Sequence, residues 1–401
     1  MHATLEYIGV ALLLVFVVLV AQYSAANFLR DTAHVREEQL YTVAERVMDK
    51  VLLTPGDPPD WGGNFEEYNG SLNDFGLAQF GTRVPYDLDP DKVIRLANHT
   101  QLPNPLYVNS SWIGELLALE GYGFVLEMIP FLDHYIEVLD YYEIPGHSED
   151  LPSKFRVELV NQFDVGIPGA NVTGIYALVK VESGAGGGDA AEIAAVLVEH
   201  GSTNVRGECI LDFSDELEDF FSEVPPGQAR AYLGIAIIHT NWHGFVAVDA
   251  YSTAPEDAPA TGYVVGEYII VEKDVELIPR AALIVKDEVI QAIPEYESLL
   301  IVAAVELEGP ENPAYRVINR GAFRYRVYKV EYVERLSSHI ILIAQWRGQY
   351  IPIVISRVPR IEIRSGVGAY GAANVVRLTR LARLFTYPYV VRLVVWREVE
   401  G

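Results

Sequence analysis

The sequence has a single cysteine and few charged residues for its length. Cys209 cannot form a disulfide within the chain, and charged residues make up 21% of the 401 residues, whereas 50% are apolar. A chain of this length buries enough apolar surface to fold without disulfides, so their lack does not exclude the cell exterior. The high apolar fraction disfavours a largely disordered chain, and the length of 401 residues predicts two or three domains.

The sequence also lacks the motifs of common enzyme classes. It contains no Gly-x-Ser-x-Gly, no His-Glu-x-x-His and no Cys–His pair at a useful spacing. Residues 366–371 match the dinucleotide fingerprint in form, but no βαβ pattern surrounds them, and residues 184–188 lack the lysine of a phosphate loop. His239 and His243 flank a predicted turn, yet no third metal ligand stands nearby in the sequence. We therefore expect no enzyme, no cofactor and no metal.

Charge is distributed unevenly along the chain. The net charge is −25, but residues 313–401 contain 15 Lys+Arg against 5 Asp+Glu. These basic residues alternate with apolar ones at strand spacing and do not cluster, which disfavours nucleic acid as a partner. Two interpretations remain: an acidic surface around one basic β domain, or a contact between the basic end of one subunit and the acidic part of another.

A long apolar run occupies the N-terminus. Residues 7–26 form a nearly continuous apolar segment of about 20 residues, which as a helix is about 30 Å long and crosses a bilayer. The alternative is the apolar region of a cleaved signal peptide. No Lys or Arg precedes the run, the run is long for a signal peptide, and the helical pattern continues beyond it. We therefore expect a retained transmembrane helix, with the lipid bilayer as one partner.

The next segment, residues 27–53, has amphipathic helical spacing. Apolar residues recur every three or four positions at Leu40, Val43 or Ala44, Val47 and Val51. No Gly or Pro interrupts the sequence from Val10 to Leu53, and the Thr-Pro-Gly-Asp-Pro-Pro sequence of residues 54–59 then ends the helix. These patterns predict one helix over residues 1–53, about 75–80 Å long, apolar on all sides in its first half.

One acidic residue stands at the start of the apolar half, in the Thr-Leu-Glu-Tyr-Ile-Gly sequence of residues 4–9. With this helix and the stretch at residues 52–61, the first 60 residues resemble type IV pilins and the pilin-like proteins of archaeal surface filaments. The resemblance implies a filament subunit in which Glu6 pairs with the N-terminal amine of a neighbouring subunit. Pilin precursors usually carry a short basic leader, whereas only Met1-His2-Ala3 precede residues 4–9 here. The alternative places Glu6 at the lipid headgroups, where a carboxylate costs less than the ~2.5–3.5 kcal/mol of the bilayer centre.

Residues 54–152 are predicted to form an irregular or helical surface region. They are rich in Pro, Gly, Asn and Asp, and the pattern from 112 to 142 predicts helical turns, with Tyr135, Tyr141 and Tyr142 packing on the foot of the long helix. Three glycosylation sequons fall here and one follows, which favours an extracellular location. The candidate acceptors are Asn69, Asn98, Asn109 and Asn171.

The remaining sequence predicts a mainly β ectodomain. Short runs with a period of two begin at about residue 153 and are separated by turn residues. The strand, Gly-Ile-Pro-Gly-Ala turn and strand around residues 155–181 resemble immunoglobulin-like and transthyretin-like modules of surface proteins. We expect an immunoglobulin-like β-sandwich over residues 153–255 and a second β domain, basic toward its end, over residues 256–401.

Two function classes fit these observations. The first is a structural subunit, or minor component, of an archaeal type IV pilus-like filament that assembles through the N-terminal helix by self-association or with other pilin-like subunits. The second is a single-pass cell-surface receptor or adhesin that does not polymerise. Both place the chain in the cell membrane with an extracellular, glycosylated β part, and neither requires nucleic acid or a small-molecule substrate.

Overall fold

The structure is a computed structural model. It describes residues 2–63, 72–98, 102–147, 150–183, 189–225, 229–255, 258–259, 261–285, 300–303, 315–320, 323–329, 338–366 and 375–398. Side chains at positions 2–14, 26–36, 279–285, 300–303, 315–316 and 320 are not among those described.

The described chain is mainly β, as the sequence predicts. The helices are α1 (His2–Leu53), α2 (Pro90–Ile94), α3 (Ser110–Leu116) and α4 (Ser214–Glu223). The first ten strands are β1 (Asp87–Leu88), β2 (Tyr122–Pro130), β3 (Leu132–Glu143), β4 (Asp150–Asn161), β5 (Asn171–Ser183), β6 (Asp189–Ser202), β7 (Glu208–Asp212), β8 (Ala231–Trp242), β9 (Phe245–Ser252) and β10 (Tyr263–Val265). The others are β11 (Tyr268–Glu272), β12 (Val275–Val285), β13 (Leu300–Ala303), β14 (Tyr315–Arg320), β15 (Phe323–Lys329), β16 (His339–Trp346), β17 (Gln349–Ser356), β18 (Ile361–Ser365), β19 (Val375–Leu384) and β20 (Tyr387–Arg397).

The long helix α1 runs unbroken for 52 residues, which corresponds to about 78 Å. It ends where the sequence predicts, because Pro55 cannot continue it and Gly56 adopts a positive φ of 79°. The hydroxyl of Thr54 donates to the carbonyl of Lys50 at 2.7 Å, and the same carbonyl accepts the Thr54 amide at 3.3 Å.

Two sheets form a β-sandwich from residue 132 to residue 252. Sheet I has the strand order β3-β4-β7, and sheet II has the order β6-β5-β8-β9, with antiparallel pairing throughout. Alternate side chains such as Phe155, Tyr176 and Leu211 fill the space between them, and α4 closes the cluster with Leu217 and Phe221. The strands that the sequence predicts between residues 155 and 251 each overlap an observed one, although the predicted spans 207–213 and 229–239 begin one or two residues too early, and the first of them ends one residue too late.

Sheets III and IV make a second pair. Sheet III has the order β13-β12-β16-β17 and sheet IV the order β10-β11-β15-β14, and they share a core that includes Val271, Leu342 and Ile353. The apolar run of residues 263–271 predicts one strand, but the structure has the hairpin β10–β11 there. Gly266 allows this turn with a φ of 56°, and a Cβ atom there would lie 2.3 Å from the carbonyl oxygen of Gly63.

Sheets II and III pack on each other through their remaining faces. Strand β8 is buried at ten consecutive positions because its odd-numbered residues, such as Ile235, face the core that also holds Ile341 and Ile343 of β16. A strand covered on both faces has no polar side to present, which explains its continuous apolar sequence. The four sheets therefore form successive layers.

Sheet V joins segments that are distant in the sequence. Its order is β1-β19-β20-β2-β18, so residues 375–397 pair with strands from the segment that was predicted as irregular or helical. That prediction was wrong for residues 122–143, which form β2 and β3. Their apolar and β-branched residues lie in short runs whose spacing suits either a helix or a strand, and pairing with β20 and β4 decides the outcome.

Candidate functional site

The amphipathic half of α1 is covered by the protein's own sheet V. Ala44, Val47, Met48 and Val51 are at most 1% exposed and belong to the core that includes the inward face of β19 and β20. The sequence predicted the positions of Ala44, Val47 and Val51 in this stripe, but it did not single out Met48. The predicted tyrosine contacts were wrong, because Tyr135 and Tyr141 are exposed and the ring of Tyr142 stacks on Phe221 at 5.5 Å.

The described side chains in the apolar half of α1, at residues 15–25, have no such cover. Residues 15–20 and Tyr23 are between 47% and 70% exposed, and all of these except Tyr23 are Val, Phe or Leu. Six consecutive helical residues at 100° per residue point in every direction around the axis, so the exposed surface is apolar on all sides. Within the part of the helices whose side chains are described, no stretch is long and apolar enough to cross a membrane.

Glu6 and the first part of the predicted transmembrane segment lie outside the described side chains. Their backbone belongs to α1, which begins at His2. The pairing of Glu6 with an amine therefore stays a prediction, as does the transmembrane assignment of residues 7–26.

The candidate glycosylation sites differ in their surroundings. Asn69 lies outside the described residues, whereas Asn98, Asn109 and Asn171 are exposed. The side-chain oxygen of Asn109 accepts a hydrogen bond from the amide of Trp112 at 2.8 Å and caps α3. The Asn98 oxygen accepts one from the amide of Asn104 at 3.0 Å. Glycosylation of these residues stays a prediction.

The other sequence motifs lie either outside the described residues or at positions that do not form a site. Residues 184–188 and 367–371 lie outside the described part of the chain. Cys209 is buried in β7, where burial raises the pKa of its thiol. His239 is buried on β8 while His243 is exposed in the β8–β9 turn, so the two do not converge. Among the described residues, no group of three or more His, Cys, Asp or Glu side chains is placed to hold a metal ion.

A polar cavity, the junction cavity, lies where sheets I, II, III and V meet. Its volume is about 220 Å³. The titratable and charged side chains of its wall come from five different segments. They are Asp133, His134, Asp249, His339, Arg360, Tyr387 and Tyr389. No stretch of sequence brings these residues together, and only the packing of the sheets does so.

The hydrogen bonds of the wall fix the two histidines. His134 Nε2 lies 3.0 Å from the hydroxyl of Thr240, and His339 Nδ1 lies 2.9 Å from the hydroxyl of Ser338. The Ser338 oxygen is also 3.0 Å from the hydroxyl oxygen of Tyr387. His339 Nε2 faces Asp249, with 3.8 Å between Nε2 and Oδ1. The cavity wall is therefore an ordered polar surface inside a largely apolar molecule.

Burial changes the protonation of these groups in opposite directions. It lowers the pKa of His339 to about 4 and, together with His239 and His339, lowers that of His134 to about 3. It raises the pKa of Asp249 to about 7, with a smaller contribution from Asp133. Both histidines are therefore neutral at pH 7, while Asp249 is close to half-protonated.

Sequence reasoning did not identify this cavity. His134 and Asp249 stand among apolar residues in strand-like segments. A polar residue in such a segment ordinarily marks a position exposed to solvent, so nothing in the sequence predicted that either residue lines a cavity. The sequence carries one weak signal for the cavity. His339 begins the otherwise apolar run of β16, and a histidine is unusual in a strand that is buried on both faces.

Comparison with known proteins does not assign the chain. No protein-family model matches it, and no curated protein matches it at a significant level. The function therefore has to be argued from the helix, the sheets and the cavity.

Proposed function

We propose that this chain is a membrane-anchored structural protein of the cell exterior, most specifically a pilin-like subunit or minor component of an archaeal surface filament. The observation that carries the proposal is the exposed apolar surface around residues 15–20 of α1. Leaving it in water costs roughly 1.5–3 kcal/mol per large side chain, so it needs an apolar partner on every side. A lipid bilayer supplies one, and a bundle of identical helices supplies another.

The β part suits a protein that makes contacts outside the cell. Sheets I and II hold three and four antiparallel strands, and the order β3-β4-β7 against β6-β5-β8-β9 supports an immunoglobulin-like arrangement of this sandwich. Such sandwiches occur widely in surface proteins, although the fold by itself does not define a function. This fold supports an interaction role for the β part of the proposed protein, in which sheets III to V are further β layers.

The amphipathic half of α1 supports the anchor but does not select the filament. Sheet V already covers Ala44, Val47 and Met48, so this face needs no neighbouring helix. The second candidate, a single-pass receptor or adhesin, has the same helix and the same docking. What separates the two is the partner of the apolar half, which is lipid alone in the adhesin and other helices in the filament.

The first experiment tests the anchor. We expect the full chain to fractionate with membranes and to resist carbonate extraction, whereas a chain that begins at Gln39 is soluble. The cut falls just before Leu40, the first residue of α1 that is buried among its described side chains, so the part of the helix covered by sheet V stays intact. Recovery of the intact full chain in the soluble fraction would contradict the anchor.

The second experiment separates filament from adhesin. Glu6→Ala in the native host should abolish filaments or higher oligomers while membrane insertion stays normal, because an ion pair in a dry helix bundle is lost. Glu38→Ala, at an exposed position of the same helix, is the matched control. An unchanged oligomeric state in detergent and unchanged cell-surface filaments would remove the filament proposal and leave the adhesin.

The third experiment tests the side of the membrane. Ser111→Ala removes the sequon of Asn109 without removing the Asn109 side chain that caps α3. We expect intact-mass measurement to show the loss of one glycan in this variant and in Thr173→Ala. Protease added to whole cells should also remove the region after Thr54. Complete protection of that region until lysis would place it inside the cell.

A further inference from the structure

Two edge strands of the structure are open to another chain. β3 lies at one edge of sheet I, and at the edge of sheet V the strand β19 is bordered only by β1, which pairs with Arg383 and Leu384. Among the described residues, positions 375–382 of β19 therefore have no ladder partner on their outer side. Such an edge presents free N–H and C=O groups and is a template for a strand of another chain.

The charged residues of these two edges have equal spacing and opposite sign. Each strand carries a charge at every third position: Glu137, Asp140 and Glu143 on β3, and Arg377, Arg380 and Arg383 on β19. Opposite charges that face each other stabilise a strand pair, whereas like charges destabilise it. Two copies of β3 therefore repel each other, as do two copies of β19, and β3 is matched in charge to β19.

Ion pairs within the chain engage only one residue of each set. Glu137 Oε2 lies 2.9 Å from Arg156 Nη1, and Arg383 Nε lies 3.0 Å from Asp87 Oδ1. The other four charged residues of the two sets form no ion pair within the described part of the chain. These four side chains are therefore available to a partner of complementary charge.

An antiparallel register brings the four free charges together. With Asp140 opposite Arg380, Glu143 falls opposite Arg377, so each free carboxylate faces a free guanidinium. The same register sets the last six residues of β3 beside residues 377–382, which belong to the part of β19 that β1 leaves open. A parallel register would instead place Glu143 opposite Arg383, which already binds Asp87.

Apolar side chains follow the same antiparallel register. Leu139 falls opposite Leu381, and these side chains are 37% and 62% exposed in the single chain. The pairing of β3 with β4 shifts register between Val138 and Tyr141, so a regular backbone ladder is interrupted there. The side-chain pairs, more than the backbone, therefore set the alignment.

We propose that the edge of β3 docks antiparallel beside the edge of β19 in a second copy of this chain. This contact rests on the proposed function, because a contact between two different surfaces repeats from copy to copy, as a filament requires. Six residues of strand are about 20 Å long, so the contact buries far less than the roughly 800 Å² per partner of a stable complex. It orients copies that their helices hold together.

The test is cysteine cross-linking of the full chain in detergent micelles, where no bilayer fixes the relative heights of two copies. Opposed residues of a strand pair have Cα atoms about 4.5–5.5 Å apart, within disulfide range. We expect Leu139→Cys and Leu381→Cys chains to form a mixed disulfide under mild oxidation. Leu139→Cys mixed with Val317→Cys, at an exposed position of β14, is the control and should not. Cys209 is buried in β7 and does not compete.

Charge reversal tests the register. Asp140→Arg in the Leu139→Cys chain, or Arg380→Glu in the Leu381→Cys chain, should lower the yield of mixed disulfide about fivefold or more, because a favourable pair becomes a repulsive one. Mixing the two doubly substituted chains should restore the yield, since opposite charges face each other again. Glu192→Arg, at an exposed position of β6, is the matched control in the Leu139→Cys chain and should leave the yield unchanged.

Restoration requires that both variants fold, so it separates the contact from misfolding. Equal yields for the test pair and the control pair, or a loss without restoration, would overturn the docking of β3 beside β19. The membrane fractionation described above measures the anchor independently. A chain that stays in membranes but gives no preferred disulfide therefore keeps the anchor and loses this contact.

Discussion

Acid should destabilise the junction between the first sandwich and sheet III through His339. This side chain is 1% exposed and its pKa falls from 6.5 to about 4 on folding. The unfolded chain therefore binds the proton first as pH falls, so the contribution of neutral His339 is complete above pH 6.5 and is lost between pH 6.5 and 4. A shift of about 2.5 pKa units corresponds to about 3 kcal/mol.

Asp249 works against this loss. Its pKa rises from 3.8 to about 7 on folding, so its ionisation costs stability as pH rises through that range and returns stability as pH falls. With 38% of the side chain exposed, we discount the nominal cost by about half, to about 2 kcal/mol. In Asp249→Asn this compensation is absent. The variant should be more stable than the unaltered chain at pH 8 and should lose stability more steeply below pH 6.5.

The assay is hydrogen exchange of the β16 amides at pH 7.5 and pH 4.5, corrected for intrinsic exchange rates. A chain with several sheets does not unfold in one step, so the local opening free energy is the relevant quantity. We expect the Asp249→Asn chain to lose about 3 kcal/mol of β16 opening free energy between these pH values, and Asp249→Asn/His339→Gln to lose much less. His200→Gln, at an exposed histidine, is the control. Identical pH dependence with and without His339 would refute the argument.

Two further predictions concern packing. Met48→Ala should cost about 2–5 kcal/mol because Met48 is fully buried between α1 and sheet V, whereas Tyr41→Ala, at an exposed position on the same helix, should cost under about 1 kcal/mol. Thermal denaturation in detergent compares the two, and equal midpoints would contradict the docking of the helix. Gly123→Ala should destabilise sheet V because its Cβ would lie 2.2 Å from the Trp396 ring. Gly114→Ala, whose Cβ would meet ordinary contacts at 3.5 Å, should be tolerated, and a destabilised Gly114 variant beside an unaffected Gly123 variant would refute the contact.

Local patterns in the sequence predicted the elements that depend on local physics. The stripe of Leu40, Ala44 and Val47 and the stop at residues 54–59 are properties of one helix, and the structure has both. The hairpins of the first sandwich follow from alternation and turn residues in the same way. The strands in residues 155–251 could be predicted without information about distant segments of the chain.

Structural features that depend on contacts between distant segments could not be predicted from the sequence. Residues 122–143 carry apolar side chains whose spacing suits either a helix or a strand, and β20 supplies the pairing that makes β2 a strand. The junction cavity depends in the same way on strands from both halves of the chain. No local pattern in the sequence predicts that His134 and His339 line the same cavity, because the packing of sheets I, II, III and V brings them together.

Ion pairs in sheet V reduce the basic charge that the C-terminal part of the chain can offer to a second subunit. Several arginines of residues 313–401 already have acidic partners within the chain: Arg383 Nε lies 3.0 Å from Asp87, and Arg392 Nη1 lies 3.6 Å from Glu127. Such pairs neutralise part of the basic charge before any second subunit arrives. A head-to-tail contact between copies would therefore need more than the net charge of the two ends. The exposed apolar surface at residues 15–20 of α1 offers a stronger driving force, so under the proposed function we expect burial of this helix to dominate assembly and contacts between β domains to set only the orientation of the subunits.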